Sequence, residues 1–280
     1  MKYYLYITLF IFNNAFAIGT FTRVESNVSL YSEYYPNPKP DFNGTIIFEN
    51  GSGTSINEWK QNQVFFNCVK KIGSVFLYDR NGLGKSPPDL RVSSDNPITG
   101  KFISDKLSTL LSKQNIKPPY IIVAHSYGSI YAGYFALKKP KLIKAILLVD
   151  PVPKEFNFND KLINDYESAI EMAKTNPSSA VYQKIGGQRA EVTYQLIGFQ
   201  KAKQQVASLG GIKANIPIII ISSTQMEKDK PLQEDWYSSQ KQWLNNNSKS
   251  KIITVDAGHF IQLTKPEMVC KQIKVLLDKK

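Results

Sequence analysis

Metal-binding side chains are scarce in this chain: its 280 residues include two cysteines, Cys68 and Cys270, and two histidines, His125 and His259. None of the four stands at ligand spacing from another, which argues against a structural or catalytic metal site. No Lys-Ser/Thr pair opens a helix after the glycine loop at Glu49-Asn50-Gly51-Ser52-Gly53, so that loop is not a phosphate-binding one, and no cofactor is expected. Blocks of basic residues are missing too. The 35 Lys+Arg outnumber the 23 Asp+Glu for a net charge of +12, but they are spread along the whole chain. That distribution reads as a basic solvated surface, and a nucleic-acid partner is not expected. No stretch reaches the ~18–20 uninterrupted apolar residues of a membrane-spanning helix, so no stable span is expected. Internal repeats and low-complexity tracts are absent, and no feature specifies an oligomeric state. Aromatics are plentiful, with 15 Phe and 15 Tyr in a chain that is 42% hydrophobic. That composition excludes intrinsic disorder, and the length suffices for a full hydrophobic core in one large domain.

The first seventeen residues have the three-part build of a secretory signal peptide. Met1-Lys2 is a positive start, Tyr3 to Phe12 is a short apolar run, and Ala15-Phe16-Ala17 is a small-x-small cleavage signal. The expectation is cleavage near Ala17 and export, to a periplasm or out of the cell, with residues 18–280 as the mature domain. In such an oxidising compartment two thiols are able to pair.

From there apolar runs alternate with amphipathic stretches, the rhythm of an α/β protein with a mostly parallel sheet. Strands are predicted at Val28 to Tyr34, Thr45 to Phe48, Ser74 to Tyr78, Tyr120 to Ala124, Ile143 to Val149, Ile216 to Ile221 and Lys251 to Val255. Helices are predicted at Trp59 to Ile72, Ile98 to Ile116, from just after Ser126 to Lys139, around Trp236 to Leu244, and from Lys265 to Leu277. Between Asp150 and Ile216 the alternation stops. Only helical stretches, near Asp160 to Lys174 and Gln188 to Ser208, are legible there, so residues 151–215 read as a helical cap inserted between two strands. Phe156, Phe158, Tyr166, Tyr194 and Phe199 belong to that cap, most simply as its own core.

Polar residues at the carboxyl ends of parallel strands carry the chemistry in such sheets. The strongest signal is Ile121-Ile122-Val123-Ala124-His125-Ser126-Tyr127-Gly128-Ser129. A strand turns sharply into a helix with a serine at its apex and small residues two positions to either side, the build of a nucleophile elbow, with Ala124 where glycine is usual. A serine needs a base to take its proton. His125 is its chain neighbour, and adjacent side chains diverge around a tight turn, so it is assigned to packing. His259 follows the last strand, where Gly258 would allow a close approach, and is the candidate base.

Four segments in order now resemble the α/β-hydrolase fold family, from about Val28 to the C-terminus. They are Glu49-Asn50-Gly51-Ser52-Gly53, Asp79-Arg80-Asn81-Gly82-Leu83-Gly84-Lys85-Ser86, Ala124 to Gly128, and Gly258-His259-Phe260-Ile261-Gln262-Leu263. The resemblance implies a Ser-His-acid triad, a cap between strands 6 and 7, and an oxyanion hole made by the backbone N–H groups of Ser52 and Tyr127. Asn50-Gly51 stands where the family often has His-Gly. Asp79 and Arg80 are expected to brace their loop. For the acid, Asp150 at the end of the sixth strand is favoured, as in a subset that includes some haloalkane dehalogenases. Glu227, one residue late after the seventh strand, is the alternative, and Asp229 lies further off register. The family places its first and last major helices on one face of the sheet, which would let Cys68 and Cys270 bond. The implied activity is an exported serine hydrolase acting on a small-molecule acyl substrate, an ester by default. The same fold also hosts acyltransferases and proteins that bind without turnover.

Overall fold

The apolar runs assemble into a single eight-stranded sheet. In the computed structural model the described residues are 18–154, 164–165, 168, 191–226 and 230–277. The strands are β1 (Ile18–Glu25), β2 (Val28–Tyr35), β3 (Phe42–Glu49), β4 (Gly73–Tyr78), β5 (Tyr120–His125), β6 (Ile143–Val149), β7 (Ile218–Ser223) and β8 (Lys251–Val255). They lie in the order β1-β2-β4-β3-β5-β6-β7-β8. β1 and β2 form an antiparallel hairpin, β2 runs antiparallel to β4, and every other pairing is parallel. β5 sits inside the sheet and is buried along its whole length, which is why its sequence is a continuous apolar run and not an alternation.

The helices are α1 (Asn57–Lys60), α2 (Gln63–Ile72), α3 (Gly100–Lys113), α4 (Gly128–Lys138), α5 (Phe199–Ser208), α6 (Lys230–Gln240), α7 (Ile261–Thr264) and α8 (Pro266–Val275). Two apolar clusters fill the spaces on either face of the sheet. Leu107, Leu110, Tyr131, Phe135, Phe199 and Trp243 belong to one, and Trp59, Phe65, Val69, Ile261, Val269 and Ile273 to the other. On the second face α2 packs against α8, and Cys68 and Cys270 are joined there by a disulfide with a Cα–Cα distance of 6.4 Å.

Two local expectations change. Trp59 to Ile72 is not one helix: Asn62 leaves the helical conformation and its side chain caps α2 by accepting from the Phe65 N–H at 3.2 Å. A short amide that bonds its own backbone competes with helix continuation, and here it wins. β1 is the second. It lies at the sheet edge with Val24 buried and Phe21 59% exposed, so no apolar run announces it. In the inserted interval, residues 191–197 and α5 are helical and α5 packs on α3 and α4. Phe156, Phe158 and Tyr166 fall outside the described residues, whereas Tyr194 and Phe199 are buried in the core. Among the described residues no helix is long and apolar enough to cross a membrane.

Candidate active site

β5 ends at His125 and α4 begins at Gly128, so two residues make the whole turn. Ser126 takes φ +51, a left-handed backbone unusual for a residue with a side chain. The strained turn is held from both sides: Ser126 N–H donates to the Val149 carbonyl at 3.1 Å, and the Ser126 carbonyl accepts from the N–H groups of Ser129 and Val152, each at 3.1 Å. A Cβ on Gly128 would stand 2.6 Å from the Asn50 carbonyl oxygen and 2.8 Å from that of Glu49, backbone atoms that cannot yield. The small residue at that position is therefore a steric requirement. Strain held this firmly is characteristic of working sites.

Asp150 terminates β6, also with positive φ (+41), and is completely buried. Its Oδ1 accepts from the Ser223 N–H at 3.1 Å, Trp236 Nε1 at 2.9 Å and Gln240 Nε2 at 2.9 Å. That leaves Oδ2, which lies 2.7 Å from His259 Nδ1. The structure thus brings together the favoured acid and the candidate base. Glu227 and Asp229 lie outside the described residues. The His259 side chain is 22% exposed, and among the described residues its Nε2 has no protein partner. Its backbone carbonyl accepts from His125 Nε2 at 3.0 Å, which ties the histidine loop to the elbow. The expected role of Gly258 does not hold: its φ is ordinary and a Cβ there would meet nothing within 4 Å.

His125 does more than pack. It is completely buried, and its Nδ1 makes an ion pair with Glu58 Oε1 that lacks the alignment of a good hydrogen bond. Burial alone would lower the His125 pKa; the Glu58 charge overrides it and leaves the value raised. Burial would raise Glu58, and the imidazolium reverses that to a lowered value. The same carboxylate accepts from the Gly51 N–H at 2.9 Å, Gln262 Nε2 at 2.7 Å and the Thr54 hydroxyl. One buried pair therefore joins the glycine loop after β3, the elbow and the histidine loop. Distance in sequence hid it, because Glu58 looks like an ordinary helix-start acid.

The glycine loop is set by Arg80, which is also buried. Nη1 donates to Glu49 Oε1 at 3.0 Å and to the Asn50 carbonyl at 2.7 Å, and Nη2 donates to the Gly51 carbonyl at 2.7 Å. In a trans peptide the C=O and the following N–H point opposite ways, so anchoring the Gly51 carbonyl on Arg80 turns the Ser52 N–H away from it. The amides on either side are engaged, Gly51 by Glu58 and Gly53 by Glu191. Burial pushes the Glu49 carboxyl up to about 7 against the pull of Arg80. Asn50, in the place of the family's histidine, bonds Trp59 Nε1 and the Tyr78 carbonyl. Asp79 braces its loop by accepting from the N–H groups of Ile56 and Lys85.

A strand-turn-helix serine, a histidine after β8 and this strand order define an α/β-hydrolase-fold protein, and the chain has that fold. Comparison with known proteins agrees: residues 44–168 match the family described as alpha/beta hydrolase fold. An uncharacterized protein, YqjL of Bacillus subtilis, is 28% identical over 239 residues, covering 81% of this chain and 83% of its own. Among solved structures, the epoxide hydrolase CorEH superposes with TM-score 0.68 at 15% identity, over 93% of this chain and 98% of that one. A haloalkane dehalogenase from Bradyrhizobium elkani, DbeA, gives TM-score 0.68 at 14% identity over 93% and 97%. At such identities the structural likeness speaks for the fold alone.

Proposed function

We propose that this protein is a serine hydrolase in which Ser126, His259 and Asp150 form the triad and the N–H groups of Ser52 and Tyr127 hold the oxyanion. The observation that carries the reading is the 2.7 Å contact from His259 Nδ1 to the buried Asp150, taken together with a serine held at a strained elbow. An acid at Nδ1 fixes the tautomer whose Nε2 accepts a proton, and stabilises the imidazolium once that proton arrives.

Ser126 Oγ attacks the acyl carbon as His259 Nε2 takes the hydroxyl proton, and the carbonyl electron pair moves onto the oxygen held by the two amides. Collapse breaks the bond to the leaving alcohol, which receives the proton from His259. Water then attacks the acyl-enzyme, giving a proton to His259, and the second collapse returns that proton to Ser126 and frees the acid. A carboxylic ester of a small molecule is the substrate class proposed. Export with cleavage near Ala17 belongs to the same proposal; it is supported by the Cys68–Cys270 disulfide, a bond that persists in oxidising compartments.

The test is fluorophosphonate labelling of the purified protein, with hydrolysis of a chromogenic ester series of graded acyl length. Stoichiometric labelling that disappears in Ser126→Ala, with a kcat loss of about 10⁴-fold or more, is expected. Absence of labelling in the wild type would overturn the reading in favour of a binding protein. Labelling with product formed only on an added alcohol or amine would replace hydrolysis by acyl transfer.

A further inference from the structure

The inserted segment between β6 and β7 sends two buried polar side chains into the glycine loop. Residues 191–197 are helical, so Glu191 and Gln195, four apart, share one face. Both are buried, at 2% and 0% exposure. Glu191 accepts from Arg80 Nε at 2.8 Å and from the Gly53 N–H at 3.2 Å. Gln195 donates through Nε2 to the Ser52 hydroxyl and accepts at Oε1 from the Tyr131 hydroxyl at 3.2 Å, while its backbone carbonyl accepts from the Tyr127 hydroxyl at 2.7 Å. Four of these five partners belong to the oxyanion apparatus or hold it, and the fifth, Tyr131, has its ring 5.1 Å from the Arg80 guanidinium. Ser52 and Tyr127 are the two residues whose amides are assigned to it, Gly53 follows Ser52, and Arg80 anchors the Gly51 carbonyl that aims the Ser52 N–H.

We propose that Glu191 and Gln195 are positioning residues for the oxyanion site, a strut through which the inserted segment sets the direction of both amides. The inference rests on the serine-hydrolase reading. A guanidinium held at only its two terminal nitrogens can pivot; a carboxylate on Nε fixes the plane of the fork and with it the carbonyl it grips. Donors aimed in advance cost nothing to reorganise when charge develops, and a misplacement of about 1 Å in such a group lowers rate by about a hundredfold. Acylation competence thereby depends on the inserted segment being docked, although neither Glu191 nor Gln195 needs to touch the acyl group.

Two variants test this, Gln195→Met, which keeps the volume and loses the side-chain bonds to Ser52 and Tyr131 while the backbone bond to Tyr127 stays, and Glu191→Gln, which removes the charge. Folding is verified by near-UV circular dichroism, and Gln195→Met carries the test if Glu191→Gln does not fold. The expected result for a chromogenic ester is a kcat lower by about 10- to 100-fold with KM within about threefold of wild type. Affinity for a trifluoromethyl ketone, whose adduct places an oxyanion between the amides, should fall in the same proportion. Wild-type kcat in the folded variants, a loss confined to KM, or unchanged affinity for the ketone would each overturn the strut. Those outcomes are distinct from failure of the parent reading, in which the wild type itself neither labels with fluorophosphonate nor turns over ester.

Discussion

Two histidine–carboxylate pairs lie side by side in this protein, His125 with Glu58 and His259 with Asp150, their imidazole centroids 4.6 Å apart. The first is sealed: His125 is 1% exposed and both ring nitrogens are occupied, by Glu58 and by the His259 carbonyl. In the second, Asp150 is equally buried, but His259 is 22% exposed. The carboxylates differ as well. Glu58 serves an imidazole and three donors from three separate segments of chain, and so acts as a knot. Asp150 spends one oxygen on three neutral donors and keeps the other for the imidazole. The same two functional groups thus become brace or candidate proton shuttle according to which nitrogen is left over and whether solvent reaches it.

The largest effect that would sharpen this contrast is on turnover. In Asp150→Asn the carbonyl oxygen is claimed by the donors from Ser223, Trp236 and Gln240, so the amide NH₂ must face His259 Nδ1 and force the wrong tautomer. We expect kcat for a chromogenic ester to fall by about 10³–10⁴-fold while the melting temperature moves by only a few degrees. Near-normal turnover would remove Asp150 from the proposed triad and bring Glu227 back into consideration.

The sealed pair should answer in stability. Glu58→Gln leaves the imidazolium buried without its counter-charge, and a loss of about 3–5 kcal/mol in urea unfolding is expected. The signs give it a pH signature. The lowered pKa of Glu58 means its contribution is complete above the ordinary value of 4.5 and is lost as pH falls through the lowered one. The raised pKa of His125 means its contribution is complete below 6.5 and is lost as pH rises through the raised one. The stability gap between wild type and Glu58→Gln should therefore be widest between about pH 5 and 6.5 and narrow on both sides. A gap that is flat across pH would show that the pair is not ionised.

The smallest effect separates two glycines, one beside each pair. A Cβ on Gly51 would come 2.8 Å from His125 Nδ1, whereas one on Gly258 meets nothing. Gly51→Ala should cost about 1–3 kcal/mol, and Gly258→Ala should stay within about 0.5 kcal/mol with unchanged turnover. Equal effects at the two positions would contradict the packing described here.

Much of this architecture was legible in the chain itself, for local reasons. Buried parallel strands must be continuous apolar runs, so β3 to β7 stand out, and the elbow is readable because its small residues and its serine lie within five consecutive positions. With only two histidines, one of them adjacent to the serine, His259 followed almost by elimination. What could not be read has the opposite character. β1 is an edge strand with little to bury, and the break at Asn62 depends on a side-chain cap that competes evenly with the helix.

The amino-acid order alone, then, determined the α/β rhythm, the serine on its turn and the interruption after Asp150, since each is written in the period and spacing of near neighbours. Only the tertiary structure decided that Cys68 meets Cys270, that Asp150 reaches His259, and that Glu58, Arg80, Glu191 and Gln195 converge on one loop. Those contacts join residues far apart along the chain. Their partners are chosen by how the sheet twists and which helices cover it, and no local pattern of residues encodes that choice.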